Sequence, residues 1–163
     1  MVSPSAGIVL LLGSNLGDRE RHLRNGIESL SARISVESVS RIYASAPHGV
    51  TDQPWFLNVA VRGETGFGPV ELLHCVKAIE KSEGRDDAGV RWGPRPLDID
   101  IILVGSLVMR SAELTIPHAS MSQRRFCLLP VSEIAPDMIV PPDGLTVSEL
   151  LERCKDNLEV FPI

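Results

Sequence analysis

Residues 7 to 12, Gly-Ile-Val-Leu-Leu-Leu, are apolar without interruption, the pattern of a short central strand covered on both faces. The run ends at Gly13-Ser-Asn-Leu-Gly17, which reads either as a tight strand-to-helix turn or as a glycine-rich phosphate loop without the Lys-Ser/Thr of a Walker motif. Asp18 then reads as an N-cap, and Leu23, Ile27, Leu30 and Ile34 recur at helical spacing, predicting an amphipathic helix over 19–32. A second strand is expected over 34–43, alternating only loosely. Residues 45–54 are rich in turn formers, a connector or a functional lid. From Trp55 to Arg62 the pattern alternates again, with Trp55, Leu57, Val59 and Val61 on one face and Phe56, Asn58 and Ala60 on the other. Gly68-Pro69 opens a second helix with Leu72, Leu73, Val76 and Ile79 on its buried side and Gly84 at its end. Lys77 and Glu80, three apart, read as a surface pair or, less simply, as ligand contacts.

The clearest alternation follows the charged, glycine-bearing loop 84–93, for which mobility is expected. Leu97, Ile99, Ile101 and Leu103 take one face of a strand, and Asp98, Asp100 and Ile102 the other. Short strands near 107–109 and 114–116 lead into Pro117-His118. Phe126, Leu128 and Leu129 begin an apolar helix that Pro130 should kink or end. Asp143-Gly144 reads as a turn, and Thr146-Val-Ser-Glu149 as a capping box opening a last short helix.

The chain has 163 residues, enough for one domain with its own core, and no repeat or linker divides it. Three cysteines without Cys-x-x-Cys spacing argue against a disulfide framework and a structural zinc site, leaving reduced, partly buried thiols as the expectation. The apolar N-terminal run is too short for a signal peptide or membrane span, so a cytoplasmic location is expected. A net charge of −5 argues against a general nucleic-acid binder, so local arginine clusters call for a smaller anionic partner.

That partner is suggested by Arg91-Trp-Gly-Pro-Arg-Pro-Leu-Asp-Ile-Asp100, where two arginines run into two carboxylates on one strand face. Asp98 and Asp100 start roughly 7 Å apart, a spacing that suits a hard cation held between them and a phosphate chain. An Asp-x-Asp taken alone is more often simply the solvated outer face of an edge strand; the arginine forks upstream, which suit phosphate oxygens, tilt the reading toward a nucleoside triphosphate with Mg²⁺. His118, Arg124 and Arg125 form a second cationic group, although a lone histidine is more often structural. Phe56 beside Asn58 offers a flat heterocycle a stacking face and an edge-reading amide, or else both are ordinary core residues.

Four segments, Gly13-Ser-Asn15, Asp52-Gln-Pro-Trp-Phe-Leu-Asn58, Arg91 to Asp100, and Pro117-His118 with Arg124-Arg-Phe-Cys-Leu-Leu-Pro130, together resemble the 6-hydroxymethyl-7,8-dihydropterin pyrophosphokinases of folate synthesis. The resemblance spans most of the chain, and the Arg-Trp-Gly-Pro-Arg to Asp-x-Asp segment is its specific part. It implies an α+β, ferredoxin-like sandwich with a mostly antiparallel sheet and added C-terminal strands and helices, residues 1–163 forming a single pyrophosphokinase domain. It implies that ATP donates its β,γ-pyrophosphoryl group to the pterin hydroxymethyl oxygen and that AMP leaves, with two Mg²⁺ ions held by Asp98 and Asp100. Arg85, Arg95, His118 and Arg124 would hold the phosphates, and Glu80 and Ile101 would lie on the adenosine side. The pterin would lie between Phe56 and Phe126, read by Asn58 and covered by Trp92, with Asp98 near its hydroxymethyl group. Ser45, Ala46 and His48 would add hydrogen bonds. Pro96 replaces a frequent threonine, and Asp86 and Asp87 stand where a basic residue is common. A monomer binding two small molecules, with no nucleic acid and no membrane, is the expectation. A non-enzymatic metabolite- or RNA-binding module and another Mg²⁺-dependent phosphotransferase are the competing readings; sparse aromatic residues and negative charge weigh against RNA.

Overall fold

A computed structural model describes residues 6–47, 52–84 and 95–163. The apolar N-terminal run becomes the interior of a sheet as strand β1, Ala6–Ser14, in which no side chain from Ile8 to Leu12 is more than 4% exposed. Helix α1, Arg19–Ser31, starts where the Asp18 carboxylate accepts the Arg21 N–H. Then come β2, Ser35–Val39; β3, Tyr43–Ser45; β4, Phe56–Thr65; α2, Pro69–Ser82; and β5, Asp98–Val104. The chain continues through a hairpin of β6, Met109–Arg110, and β7, Thr115–Ile116, to α3, Arg125–Ile134. A second hairpin of β8, Ile139–Val140, and β9, Leu145–Thr146, precedes α4, Val147–Arg153, and β10, Val160–Pro162.

The main sheet runs β10-β3-β4-β1-β5, with β2 also paired to β4, and every pairing is antiparallel. One face packs against α1 and α2 through a core including Leu12, Leu23, Leu30, Leu72, Val76 and Leu97. The other packs against α3 and α4 through Val9, Leu11, Ala60, Leu128, Val131 and Val147. Burying each such leucine or valine side chain contributes about 1.5–3 kcal/mol, and covering on both faces explains why β1 could be apolar throughout. The protein is therefore α+β, with a mostly antiparallel sheet, and no described helix is long and apolar enough to cross a membrane.

Three elements differ from the sequence expectation. The strand expected over 34–43 is split in two, because Ser40 donates its N–H to the Ala60 carbonyl while its hydroxyl accepts the Ala60 N–H, so a side chain replaces one rung of the ladder. On β5 the alternation holds only to Ile102. The register against β1 shifts between Val9 and Leu10, so Leu103 joins the second core beside Ile102 while Val104 returns to the first. Helix α3 runs through Pro130 instead of ending there. The proline removes one backbone donor, and its side chain is buried, which offsets part of that loss.

Candidate active site

The antiparallel register brings three distant residues abreast. Gly13 on the central strand pairs with Asn58 on one side and with Asp98 on the other. Two strand spacings of roughly 4.8 Å put Asn58 and Asp98 about 10 Å apart across the glycine. A Cβ at Gly13 would lie 3.4 Å from both Asn58 Oδ1 and Phe56 Cδ1, so glycine keeps the floor between them low. One rung further, Leu11 separates Ala60 from Asp100, which leaves Asp98 and Asp100 on one face as their spacing predicts.

Asn58 is almost fully buried, and its amide donates to Ser45 Oγ at 2.8 Å and to the Tyr43 carbonyl at 3.3 Å. Those bonds fix the amide's orientation. Phe56, half-buried, begins β4 opposite Ser45 on β3. The Ala46 N–H is committed to the Glu159 carbonyl at 3.0 Å, which leaves only its carbonyl to bind a ligand. Phe126 packs on the second core from the first turn of α3, and Arg124, half-buried, is that helix's N-cap.

Beside this row lies a cavity of about 360 Å³ lined by Arg95, Asp98, Asp100, His118, Glu80 and Ile101, together with Lys77, Glu113 and Thr115. Within it Arg95 Nη1 lies 3.4 Å from Asp98 Oδ1, and His118 Nε2 lies 3.9 Å from Asp100 Oδ1. Burial holds the His118 pKa below its ordinary value against the opposing pull of Asp98. Its Nδ1 accepts the Ser120 N–H at 3.2 Å, so in the neutral ring the proton sits on Nε2, facing Asp100.

Glu80 is not the surface partner of Lys77 that its helical spacing suggested. It is 5% exposed, and its Oε2 accepts the Ile99 N–H at 2.7 Å, covering a backbone donor on β5, which among the described residues has no further strand beside it in the main sheet. Sequence reasoning also gave Asn15 too little weight. Its side chain is fully buried, accepting the Arg95 N–H at 2.7 Å and donating to Gln53 Oε1 at 2.9 Å and the Pro54 carbonyl at 3.2 Å. The Gly-Ser-Asn turn is thus a pin joining the segments that carry Arg95 and Phe56. An asparagine directly after the end of the strand, two residues beyond its glycine, was the available signal. His48, Arg85, Asp86, Asp87, Arg91 and Trp92 lie outside the described residues.

Two carboxylates on one face suit Mg²⁺, which commonly takes one or two protein carboxylates and completes its shell with phosphate oxygens and water. Among the described residues no group of three or more His, Cys, Asp or Glu side chains could hold a metal without such help.

The family model described as 7,8-dihydro-6-hydroxymethylpterin-pyrophosphokinase matches residues 9–136. A Pseudomonas aeruginosa protein named 2-amino-4-hydroxy-6-hydroxymethyldihydropteridine pyrophosphokinase is 36% identical over 158 residues, covering 95% of this chain and 96% of its own length. The Arabidopsis thaliana mitochondrial folate synthesis bifunctional protein is 45% identical over 128 residues, 78% of this chain. The chain spans only 23% of that longer protein. In structure, Plasmodium falciparum HPPK-DHPS, the wild type with pteroate, matches with a TM-score of 0.72 over 92% of this chain and 42% of its own, at 15% identity, a likeness of fold.

Proposed function

The chain belongs to the 7,8-dihydro-6-hydroxymethylpterin-pyrophosphokinase family, and from that membership we propose that it transfers the pyrophosphoryl group of ATP to the hydroxymethyl oxygen of 6-hydroxymethyl-7,8-dihydropterin in folate synthesis. The observation that supports this most is the row Asn58–Gly13–Asp98 beside the cavity of Asp100, Arg95 and His118. A bicyclic heterocycle resting over Gly13 has an oriented amide at one end and a carboxylate at the other. Its hydroxymethyl arm then points toward the triphosphate.

On this reading Phe56 and Phe126 stack on the two faces of the pterin, Asn58 reads its amide edge, and Ser45 holds Asn58 still. The Ala46 carbonyl, His48 and Trp92 complete that side. Arg95, Arg85, His118 and Arg124 hold phosphate oxygens, while Ile101 and the Glu80 region form the adenosine side. Asp98 and Asp100 would hold two Mg²⁺ ions, which when bound neutralise phosphate charge and polarise the β-phosphorus. The hydroxymethyl oxygen releases its proton to solvent and forms its bond to the β-phosphorus, the bond from that phosphorus to the α-phosphate oxygen breaks, and AMP departs with the oxygen. Neutral His118 donates from Nε2 without bringing a full charge into the site. Positioning and fixed donors supply most of the rate, each well-placed contact being worth about 2.7–4 kcal/mol.

The sheet order supports a ferredoxin-like core, since β5, β1, β4 and the split β2/β3 stand in the order fourth, first, third, second. We take residues 1–163 as one pyrophosphokinase domain, acting as a cytoplasmic monomer. Incubating the protein with ATP, Mg²⁺ and the hydroxymethyl dihydropterin and identifying the nucleotide released is the test. AMP with a pyrophosphorylated pterin is expected. ADP would indicate an ordinary phosphotransferase, and no pterin-dependent product would defeat the reading.

A further inference from the structure

Segment 154–163 carries none of the candidate site residues, yet it is tied to both walls of the proposed pterin pocket. The first N–H groups of a helix need acceptors from outside it. At the start of α3 the N-cap is Arg124, whose side chain makes no capping bond. Asp156 takes the role from 31 residues away, its Oδ2 accepting the Arg125 N–H at 3.0 Å. A carboxylate there also complements the positive end of the helix dipole. Its other oxygen, Oδ1, accepts the Leu158 N–H at 3.1 Å, a turn that directs the chain toward the sheet. Immediately beyond, the Glu159 carbonyl accepts the Ala46 N–H, Val160 pairs with Ser45, and the Phe161 ring lies tilted on Trp55 with centroids 5.8 Å apart. One short piece of chain thus holds the wall bearing Phe126 and the wall bearing Ser45, Ala46 and Phe56.

We propose that Asp156 is a positioning residue for the pterin, setting the distance between the Phe126 wall and the Phe56 wall by bonding α3 at one end of the segment and starting β10 at the other. This inference rests on the pterin-binding reading above. Asp98, Asp100 and Arg95 belong to β5 and its approach, at the opposite edge of the sheet from β10. The clamp therefore bears chiefly on the pterin, and of the described residues assigned to the phosphates only Arg124, the N-cap of α3, is carried by it.

The test compares Asp156→Ala, Asp156→Asn and Phe161→Ala in the full chain, measuring affinity for 6-hydroxymethyl-dihydropterin and for a non-hydrolysable ATP analogue with Mg²⁺, together with amide exchange. Asp156→Ala should weaken pterin binding about fivefold, the factor corresponding to a lost helix cap. ATP-analogue affinity should fall less than pterin affinity, through Arg124 alone, and exchange at Arg125 and Ala46 should quicken. Asp156→Asn keeps one acceptor oxygen and should fall between. Phe161, 45% exposed, can be truncated without threatening the fold, and Phe161→Ala should also weaken the pterin selectively. Unchanged pterin affinity in Asp156→Ala and Phe161→Ala, or equal weakening of both ligands, would overturn the proposal. If the parent protein binds no pterin, it is the proposed function that fails. The pocket-setting role then falls with it, whereas the clamp is still decided by the exchange at Arg125 and Ala46.

Discussion

At the scale of single residues the site depends on side chains that contribute little to the core. Asp98 and Asp100 are half-buried on the face of β5 that bears the cavity, so Asp98→Ala and Asp100→Ala should each cut turnover by well over tenfold, more than about 1.4 kcal/mol in barrier, without lowering the melting temperature. Steady-state rates and calorimetry decide it; a variant retaining a tenth of the parent rate is not a metal ligand. Gly13 makes the opposite case, a position where the smallest side chain should hurt function and not stability. Alanine there meets its neighbours at 3.4 Å, a tolerable distance, and replacing a strand glycine can gain roughly 0.5–1 kcal/mol. Gly13→Ala should therefore leave melting unchanged or raised while pterin affinity falls, because the new methyl group occupies the floor on which the heterocycle would rest. Parallel losses of stability and affinity would mean the glycine serves packing alone. The carboxylate pair and the Phe56–Asn58 pair were legible because a strand's period of two fixes which side chains share a face. Glu80 was not, because a helix pattern shows which face is apolar but not that a carboxylate will reach a strand's unpaired N–H.

At the scale of elements, legibility followed length and periodicity. The long pieces, β1, α1, β4, α2 and β5, carry enough alternating or 3.6-spaced residues to declare themselves, and their order already implied the sheet. The shift that sends Leu103 to the other core could not be read, since it depends on the pairing with β1. Nor could β10, three residues long and paired with a strand more than a hundred residues earlier in the chain. Asn15 shows why elements matter to the site. It joins the end of β1 to the approaches of β4 and β5 through three side-chain hydrogen bonds. Asn15→Ala leaves the Arg95 N–H without its side-chain acceptor, which should cost about 1–3 kcal/mol in stability. It also frees the segments before Phe56 and around Arg95 together. Turnover should fall with KM rising for both substrates, unlike the pterin-selective loss expected at Gly13. A KM change confined to one substrate would show that the two segments are held independently.

At the scale of the whole molecule, α3 must be fastened to the sheet at both ends if Phe126 is to keep a fixed height above Phe56. Its far end is held by Glu133. The carboxylate accepts the Tyr43 hydroxyl at 2.7 Å and Arg41 Nε at 2.8 Å through Oε1, and the Arg41 N–H at 2.7 Å through Oε2. Burial alone would raise the Glu133 pKa, but the hydrogen bonds from Tyr43 and Arg41 outweigh it, and the net shift is downward. The folded state thus holds the charged form more strongly than the unfolded chain does. Its contribution is fully present above the unfolded glutamate value of 4.5 and is lost as pH falls through the lower folded value. Arg41 is largely exposed, so water screens its share, and Glu133→Gln should cost only about 1–2 kcal/mol near neutral pH. The distinguishing feature is the pH dependence. Above the ordinary glutamate value of 4.5 the parent protein should exceed Glu133→Gln by a constant margin, and that margin should shrink as the pH falls below 4.5 and through the lowered folded value, where the parent's own carboxylate takes up its proton. Thermal unfolding of both proteins across that range provides the measurement. A margin that persists undiminished in acid would mean that Glu133 acts through packing, and that α3 is not fastened to β3 by charge.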